Sequence, residues 1–455
     1  MTDSTAGRHQ TSWRRDDSVL RVREQSSISA AADLVEAIDD HTWEQLFLTV
    51  SRSVGNTDWT VSAAQYAGFA RLNVQGRPVD VEIAPKLDGL DLFFLCDWAY
   101  SVTDRNRAGR RQTAALEVLR TDPMACLLGW YLQSMIDFAT RWLRRGYLTV
   151  EQDLTSRIRG RVLIPDYVQR SVATGRNHVI PCRFAEPTHD TAINRFLKAG
   201  LRRAVTLSAA VPVPAAREAL AQLGTRALGL FGAVSDAQAS PTDANRLTPS
   251  GPLRHYRPLV ELTRAVLSGT FVSPDLGTQL HTAFLWDLNI LFQEALRNIL
   301  RGWPGASLVD KRPSVSIATA AGVVLTTRKI DPDYVLKMQN GTVLLDAKYK
   351  KTWYLDRAAG AGEDDLEATA GHQRIKINRA DVYQAVSYSR HNAWRPATTA
   401  LIYPAVLDHD EQLPEPLQIH GFGQPVHVGF LDVGPYASTN IEAFYAQLAA
   451  AVATD

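Results

Sequence analysis

The sequence predicts an α/β protein: a mixed α/β N-terminal region with helices, then a C-terminal core running helix, three strands, helix, strand. Three observations carry that prediction. In Trp286–Trp303, apolar residues fall at helical spacing, at Leu288, Leu291, Phe292, Ala295 and Ile299. Short apolar runs separated by turn signals follow, and Asn340-Gly341 between two of them is a hairpin signature. Upstream, Val79–Pro85 alternates apolar and polar residues as a strand does, whereas Met124–Leu148 is long and apolar enough for a buried helix.

The N-terminal elements follow in order. Residues 1–17 are polar and read as a disordered arm. After the strand at Val79–Pro85, Lys86–Tyr100 reads as a glycine-containing turn and a buried helix. Thr103–Thr113 is polar, carries Arg105, Arg107, Arg110 and Arg111, and reads as an exposed loop. The helix Met124–Leu148 places Arg141, Arg144 and Arg145 near its C-terminal end, where cations offset the helix dipole. Arg157–Val168 reads as a strand broken by glycine, and Asp190 as the N-cap of a helix through Val205. Residues 206–250 are rich in Ala, Pro and Ser and hold one helix and one loop. A boundary at 270–280 divides an N-terminal region, 18–275, from a C-terminal domain, 280–455.

In the C-terminal domain the expected strands are Ser314–Ala320, then a turn and strand within Ala321–Leu336, then Gln339–Lys351. Residues 356–374 read as a charged loop, Ile377–Asn392 as a helix and Thr398–Leu407 as a strand.

Composition excludes several classes of function. The 455 residues carry 49 Lys and Arg against 48 Asp and Glu, so any contact with nucleic acid must come from a local patch. Cys96, Cys126 and Cys182 are far apart, with no CxxC pair, which argues against a disulfide framework or a zinc ribbon. The polar, acid-containing N-terminus is not that of a signal peptide, and no apolar run approaches the ~18 residues of a membrane span. A reducing cytoplasm is the expected location. No G-x-x-x-x-G-K-[ST] loop is present, so the chain is not expected to hydrolyse a nucleotide by that route. His189 and His372 lack metal-ligand spacing, and no nucleophile elbow supports Ser-His-Asp chemistry.

The chemistry concentrates in two acids and a lysine. Asp333 follows Pro332 at the end of one expected strand, and Asp346 and Lys348 share a face of the next. Antiparallel pairing brings Asp333 beside Asp346. At ~4 Å and an effective dielectric of about 20, two carboxylates repel by about 4 kcal/mol, so the pair calls for a cation or a proton. Oxygen ligands suit Mg²⁺, with Mn²⁺ as an alternative. Lys348 stands where it can orient water or offset developing charge, and Lys350 and Lys351 are placed for DNA phosphates. Gln384 and Tyr388, four apart, share a helix face. Glu294, on the first helix of the core, is a candidate third acid.

Pro332-Asp333, Asp346-Ala347-Lys348 and the Gln384/Tyr388 pair together resemble the PD-(D/E)xK restriction-endonuclease-like fold, in its RecB-like QxxxY branch, whose core is αβββαβ. Upstream, Glu82–Leu95 (EIAPKLDGLDLFFL), Arg157–Arg170, Phe184–Leu201 and Asn289–Leu300 are similar to the McrC family, the nuclease subunit of McrBC modification-dependent restriction systems. This resemblance implies a Mg²⁺-dependent endonuclease acting on double-stranded DNA within a larger hetero-oligomer, with no membrane partner. It implies a partner, an McrB-like AAA+ GTPase, that docks the N-terminal region and is stimulated by it. Asp333, Asp346 and Glu294 are then the metal-binding candidates, and Asp333, Asp346, Lys348, Gln384 and Tyr388 the catalytic ones. Two rival readings are a RecB-like repair exonuclease and a non-catalytic activator of an NTPase ring.

Overall fold

A computed structural model describes residues 19–52, 59–100, 118–247, 249–268, 280–309, 314–318, 324–329, 332–339, 341–354, 365–370, 373–389, 397–409 and 411–453. The expected arm at 1–17, the arginine loop with Arg105, Arg107, Arg110 and Arg111, His372 and most of the 270–280 boundary lie outside these residues.

The chain forms two compact units: residues 1–130 with 269–455, and residues 131–268. These units do not follow the linear division expected at 275–280. The reason is a strand, described below, that returns the chain after residue 280 to the N-terminal sheet.

The first unit opens with β1 (Val19–Arg23), β2 (Ser27–Ala30), α1 (Ala32–Ala37), α2 (Asp40–Gln45), β3 (Leu48–Arg52), β4 (Trp59–Ala63), β5 (Tyr66–Val74) and β6 (Arg77–Ala84). β2, β4 and β3 form one antiparallel sheet. In the other, β6 lies between β1, parallel to it, and β5, antiparallel to it. Alternation buries Leu20, Val22, Leu72, Val81 and Ile83 in a common core with Ile28, Trp43 and Val61. Each such aliphatic side chain contributes about 1.5–3 kcal/mol on burial. Next comes α3 (Leu92–Tyr100), buried through Leu92–Trp98, and then α4 (Pro123–Trp142), in which the chain passes from the first unit to the second. The expected helix through Leu148 stops at Trp142, because Gly146 already begins a strand.

The second unit contains β7 (Gly146–Thr155), β8 (Arg161–Val162), β9 (Val179–Thr188), α5 (Ala192–Ser208), α6 (Pro214–Leu230) and α7 (Arg257–Ser268). β9 pairs antiparallel with both β7 and β8. Of the strand expected at Arg157–Val168, only Arg161–Val162 is extended, and Ile164–Asp166 turn into a helix. The N-cap of α5 is Thr191, not Asp190. The Thr191 side chain accepts from Asn194 N at 3.3 Å. Asp190 is instead held by Arg195 at 2.7 and 2.8 Å and by the Ser235 N–H and hydroxyl, which keep its carboxyl well below the usual carboxylate range.

The chain re-enters the first unit as β10 (Leu280–Asp287), antiparallel to β5. Gly68 on β5 permits this pairing: a Cβ there would lie 1.9 Å from the Phe284 carbonyl oxygen. Trp286 therefore belongs to a strand, and the expected helix starts two residues later as α8 (Leu288–Gly302). Asp287 caps it, accepting from Asn289 N at 2.9 Å and Ile290 N at 3.3 Å. Asn298 ties α8 to α3 by donating to the Trp98 and Ala99 carbonyls at 2.9 and 3.0 Å.

Then follow β11 (Ala306–Leu308), β12 (Ser314–Ala318), β13 (Val324–Lys329), β14 (Tyr334–Met338), β15 (Gly341–Ala347), β16 (Trp353–Tyr354), β17 (Asp365–Ala370), β18 (Gln373–Asn378), α9 (Arg379–Ser389), β19 (Ala397–Ala405), β20 (Leu417–Ile419), β21 (Val426–Asp432) and α10 (Ile441–Ala453). The central sheet has the order β11-β14-β15-β19-β21-β20. β14 and β15 form an antiparallel hairpin, while β15, β19 and β21 run parallel. Helix, three strands, helix and strand do occur in order, as α8, β11, β14, β15, α9 and β19, but two expected strands change role. Among the described residues, Ser314–Ala318 pairs only with β13, in a separate hairpin, and the run within Ala321–Leu336 is split into β13 and β14. The expected loop at 356–374 contains β17 and the start of β18, which pair with each other. β15 and β19 are buried almost throughout, the pattern of strands covered on both faces.

Cys96, Cys126 and Cys182 are buried thiols. Among the described residues, no helix is long and apolar enough to cross a membrane.

Candidate active site

The β14–β15 hairpin sets the geometry. Tyr334 pairs with Leu345, so Asp333, just before β14, falls opposite Asp346. Asp333 Oδ2 accepts the Ala347 backbone N–H at 2.8 Å and the Gln293 amide at 3.4 Å. Tyr334 donates to the Gln293 carbonyl at 2.6 Å, which holds α8 against the strand. Burial pushes the Asp333 carboxyl up to about 7, and the neighbouring Asp346 adds to the effect.

Asp346 is almost wholly buried, its side chain 3% exposed. The Lys348 ammonium approaches its Oδ2 at 2.5 Å, as an ion pair without the alignment of a hydrogen bond. Lys348 lies just past the strand end, where its backbone N–H donates to the Ile402 carbonyl on β19 at 2.9 Å. The ammonium donates to Gln384 Oε1 at 2.8 Å, and Gln384 Nε2 donates to the Tyr388 oxygen at 2.6 Å. Gln384 reaches outward from α9, while Tyr388 is buried against Val335 and Leu344. Five of the six residues singled out in the sequence thus form one chain of contacts.

Glu294 stands apart from that chain. It is half-exposed, pairs with Arg297 at 3.4 Å and lines a cavity of about 480 Å³ with Tyr100, Trp286 and Asp287. The preceding residue, Gln293, is the one that reaches Asp333. Helical geometry explains the exchange, since consecutive residues are about 100° apart and only one can face the strand. Among the described residues, no three His, Cys, Asp or Glu side chains gather closely enough to hold a metal ion. The acids that face each other at the end of the hairpin are the two aspartates.

Asp381 is a member that the sequence reading did not single out. It is buried on α9, accepts from Lys350 at 2.8 and 2.7 Å and from Tyr403 at 3.1 Å, and lies 3.9 Å from Lys348. Asp381, Gln384 and Tyr388 stand at i, i+3 and i+7, a single helix stripe, and that spacing was the available signal. For Gln293 no such signal exists.

Tyr349, between Lys348 and Lys350, packs the other way. The Lys86 ammonium sits 4.3 Å from its ring centre and pairs with the buried Glu24 at 3.2 Å. Burial pushes the Glu24 carboxyl up and the Lys86 ammonium down, so the pair is kept at an electrostatic cost. The segment Glu82–Leu95, which contains Lys86, is thereby tied to the strand end carrying the candidate site.

A chain of the half-complex refined from the tetradecameric assembly of Thermococcus gammatolerans McrB AAA+ hexamers with bound McrC has a similar fold. The TM-score is 0.54 at 18% identity, covering 95% of this chain and 99% of that one. A chain from the cryo-EM structure of the Thermococcus gammatolerans McrBC complex aligns more loosely, at a TM-score of 0.41 and 16% identity over 62% of this chain and 87% of that one. No curated protein sequence matches. The family described as the McrBC 5-methylcytosine restriction system component matches residues 61–404, a span that holds the hairpin acids, Lys348, Gln384 and Tyr388, and the chain belongs to that family.

Proposed function

We propose that this chain is the McrC-type nuclease subunit of an McrBC restriction system. In this reading it is a Mg²⁺-dependent endonuclease with a PD-(D/E)xK core that cleaves double-stranded DNA together with an McrB-like AAA+ GTPase and stimulates that GTPase. The observation that carries the reading is the joined set of Asp333, Asp346, Lys348 and Gln384 at the end of the β14–β15 hairpin. Family membership and the fold shared with a chain of the McrB–McrC assembly support the partner.

The residues fit a hard divalent cation. A buried carboxylate, Asp346, and a half-buried one, Asp333, face each other; Asp333 is pushed up to about 7, and Asp346 Oδ2 lacks an aligned hydrogen bond. Such crowding is relieved by a cation that takes one or two protein carboxylates and otherwise keeps water and phosphate. When bound, Mg²⁺ supplies Lewis-acid stabilisation of the scissile phosphate and an acidified water. Asp333 and Asp346 would hold it, with Mn²⁺ as a substitute, and the Ala347 N–H orients Asp333. Lys348 donates a hydrogen bond and a positive charge toward the reacting phosphate. Gln384 holds the Lys348 ammonium and is itself held by Tyr388. Lys350, paired with Asp381, and Lys351, paired with Asp88, are both about half-exposed and would contact the DNA backbone.

The test is cleavage of methylated double-stranded DNA by the full chain with its AAA+ partner, GTP and Mg²⁺. Asp346→Ala and Lys348→Ala should each lower cleavage by at least about 10²-fold, the scale of losing a key electrostatic group. Both should still stimulate GTP hydrolysis by the partner. Cleavage at the wild-type rate by either variant overturns the site assignment.

A further inference from the structure

The Lys348 ammonium stands between two carboxylates. Asp346 Oδ2 is at 2.5 Å and Asp381 Oδ1 at 3.9 Å. Gln384 accepts from the same ammonium at 2.8 Å and can keep hold of it through a short swing. Asp381 is fixed in place by Tyr403 on β19 and by Lys350, which binds both of its oxygens. Its side chain is only 6% exposed, a costly place for a carboxylate, and no step described above uses it. Lys350, by contrast, is 45% exposed and can turn away from Asp381 toward solvent or a phosphate.

We propose that Asp381 is a positioning residue: it takes over the Lys348 ammonium from Asp346 when a divalent cation occupies the Asp333–Asp346 pair. This inference rests on the metal reading above. A dication on Asp346 and an ammonium 2.5 Å from the same carboxylate repel each other. The ammonium must therefore leave Asp346, and the buried site is unfavourable for it unless another anion receives it. Asp381 is that anion, about one side-chain swing away. Relocation clears Asp346 for the metal and keeps Lys348 beside Gln384, poised over the site.

The experiment measures Mn²⁺ affinity of the full chain by electron paramagnetic resonance, without DNA or partner. Asp381→Asn should weaken Mn²⁺ binding by about three- to tenfold, the scale of a modest side-chain coupling. Lys348→Met should bind Mn²⁺ at least as tightly as wild type. The double variant should match Lys348→Met, because without the ammonium Asp381 has nothing to receive. Tyr403→Phe keeps the charge but loosens Asp381. It should weaken binding in the same direction by a smaller factor, again only when Lys348 is present, and it carries the test if Asp381→Asn does not fold. Equal weakening with and without Lys348 overturns this inference alone, since Asp381 would then act only as a distant charge. No Mn²⁺ binding by the wild-type chain at millimolar metal overturns the metal reading and this inference together.

Discussion

Replacing Asp333 with Asn probes the site with neither partner nor DNA. Asp333 titrates near 7 in the folded chain against an ordinary 3.8, chiefly because it is buried and then because Asp346 faces it. Between those two values the folded chain holds a proton that the unfolded chain has lost. Unfolding releases that proton, so stability falls as pH rises from about 4 to about 7 and stays low above it. At about 1.4 kcal/mol per pH unit, the displacement sets a ceiling of about 4 kcal/mol on the penalty at pH 8. Residual solvent access reduces it, and about 1–4 kcal/mol is the working range. Asn keeps the shape, accepts the Ala347 N–H through its own oxygen and carries no charge. In EDTA at pH 8 the variant should therefore be more stable than wild type by about 1–4 kcal/mol, and at pH 5 by less than half as much. Millimolar Mg²⁺ should stabilise the wild type through binding and leave the variant unmoved. Urea unfolding followed by tryptophan fluorescence at both pH values, with EDTA or Mg²⁺, is the assay. A variant less stable than wild type at pH 8 in EDTA, or a difference that does not change with pH, refutes the reasoning.

Two further outcomes concern the scaffold. Gly68→Ala should prevent the β5–β10 pairing, because the added carbon would lie 1.9 Å from the Phe284 carbonyl; a loss of soluble full-length chain, or a fall of several kcal/mol in urea, is the readout. Asn298→Ala strands the Trp98 and Ala99 carbonyls and should cost about 1–3 kcal/mol, with faster amide exchange in α3 and α8 than elsewhere in the chain.

Local pattern was enough wherever the answer depended on neighbours in sequence. The 3.6-residue period in α8, the alternation in β6 and the apolar run of β15 each encode an element, because each face must meet a core. The same logic placed Asp333 opposite Asp346, since a tight hairpin fixes register. It also placed Gln384 and Tyr388 on one helix face, since residues four apart are neighbours there.

Tertiary structure decided what depended on partners distant in the chain. Trp286 reads as the start of a helix, yet β5, more than 200 residues earlier, draws it into a strand. Ser314–Ala318 has the composition of a sheet strand, but β11 takes the edge beside β14 instead. Which of two adjacent helix residues reaches Asp333 depends on the rotation of α8, and packing on α3 and the Tyr334 bond to Gln293 fix that rotation. Asp381 becomes part of the site only because β19 and the end of β15 bring Tyr403, Lys348 and Lys350 to it. The sequence by itself singled out the acids and lysine of the candidate site and the elements whose faces follow a local period. Only the fold decided the company each charged group keeps, because the cost of burying a charge is set by which partners the packed chain brings within a few ångströms.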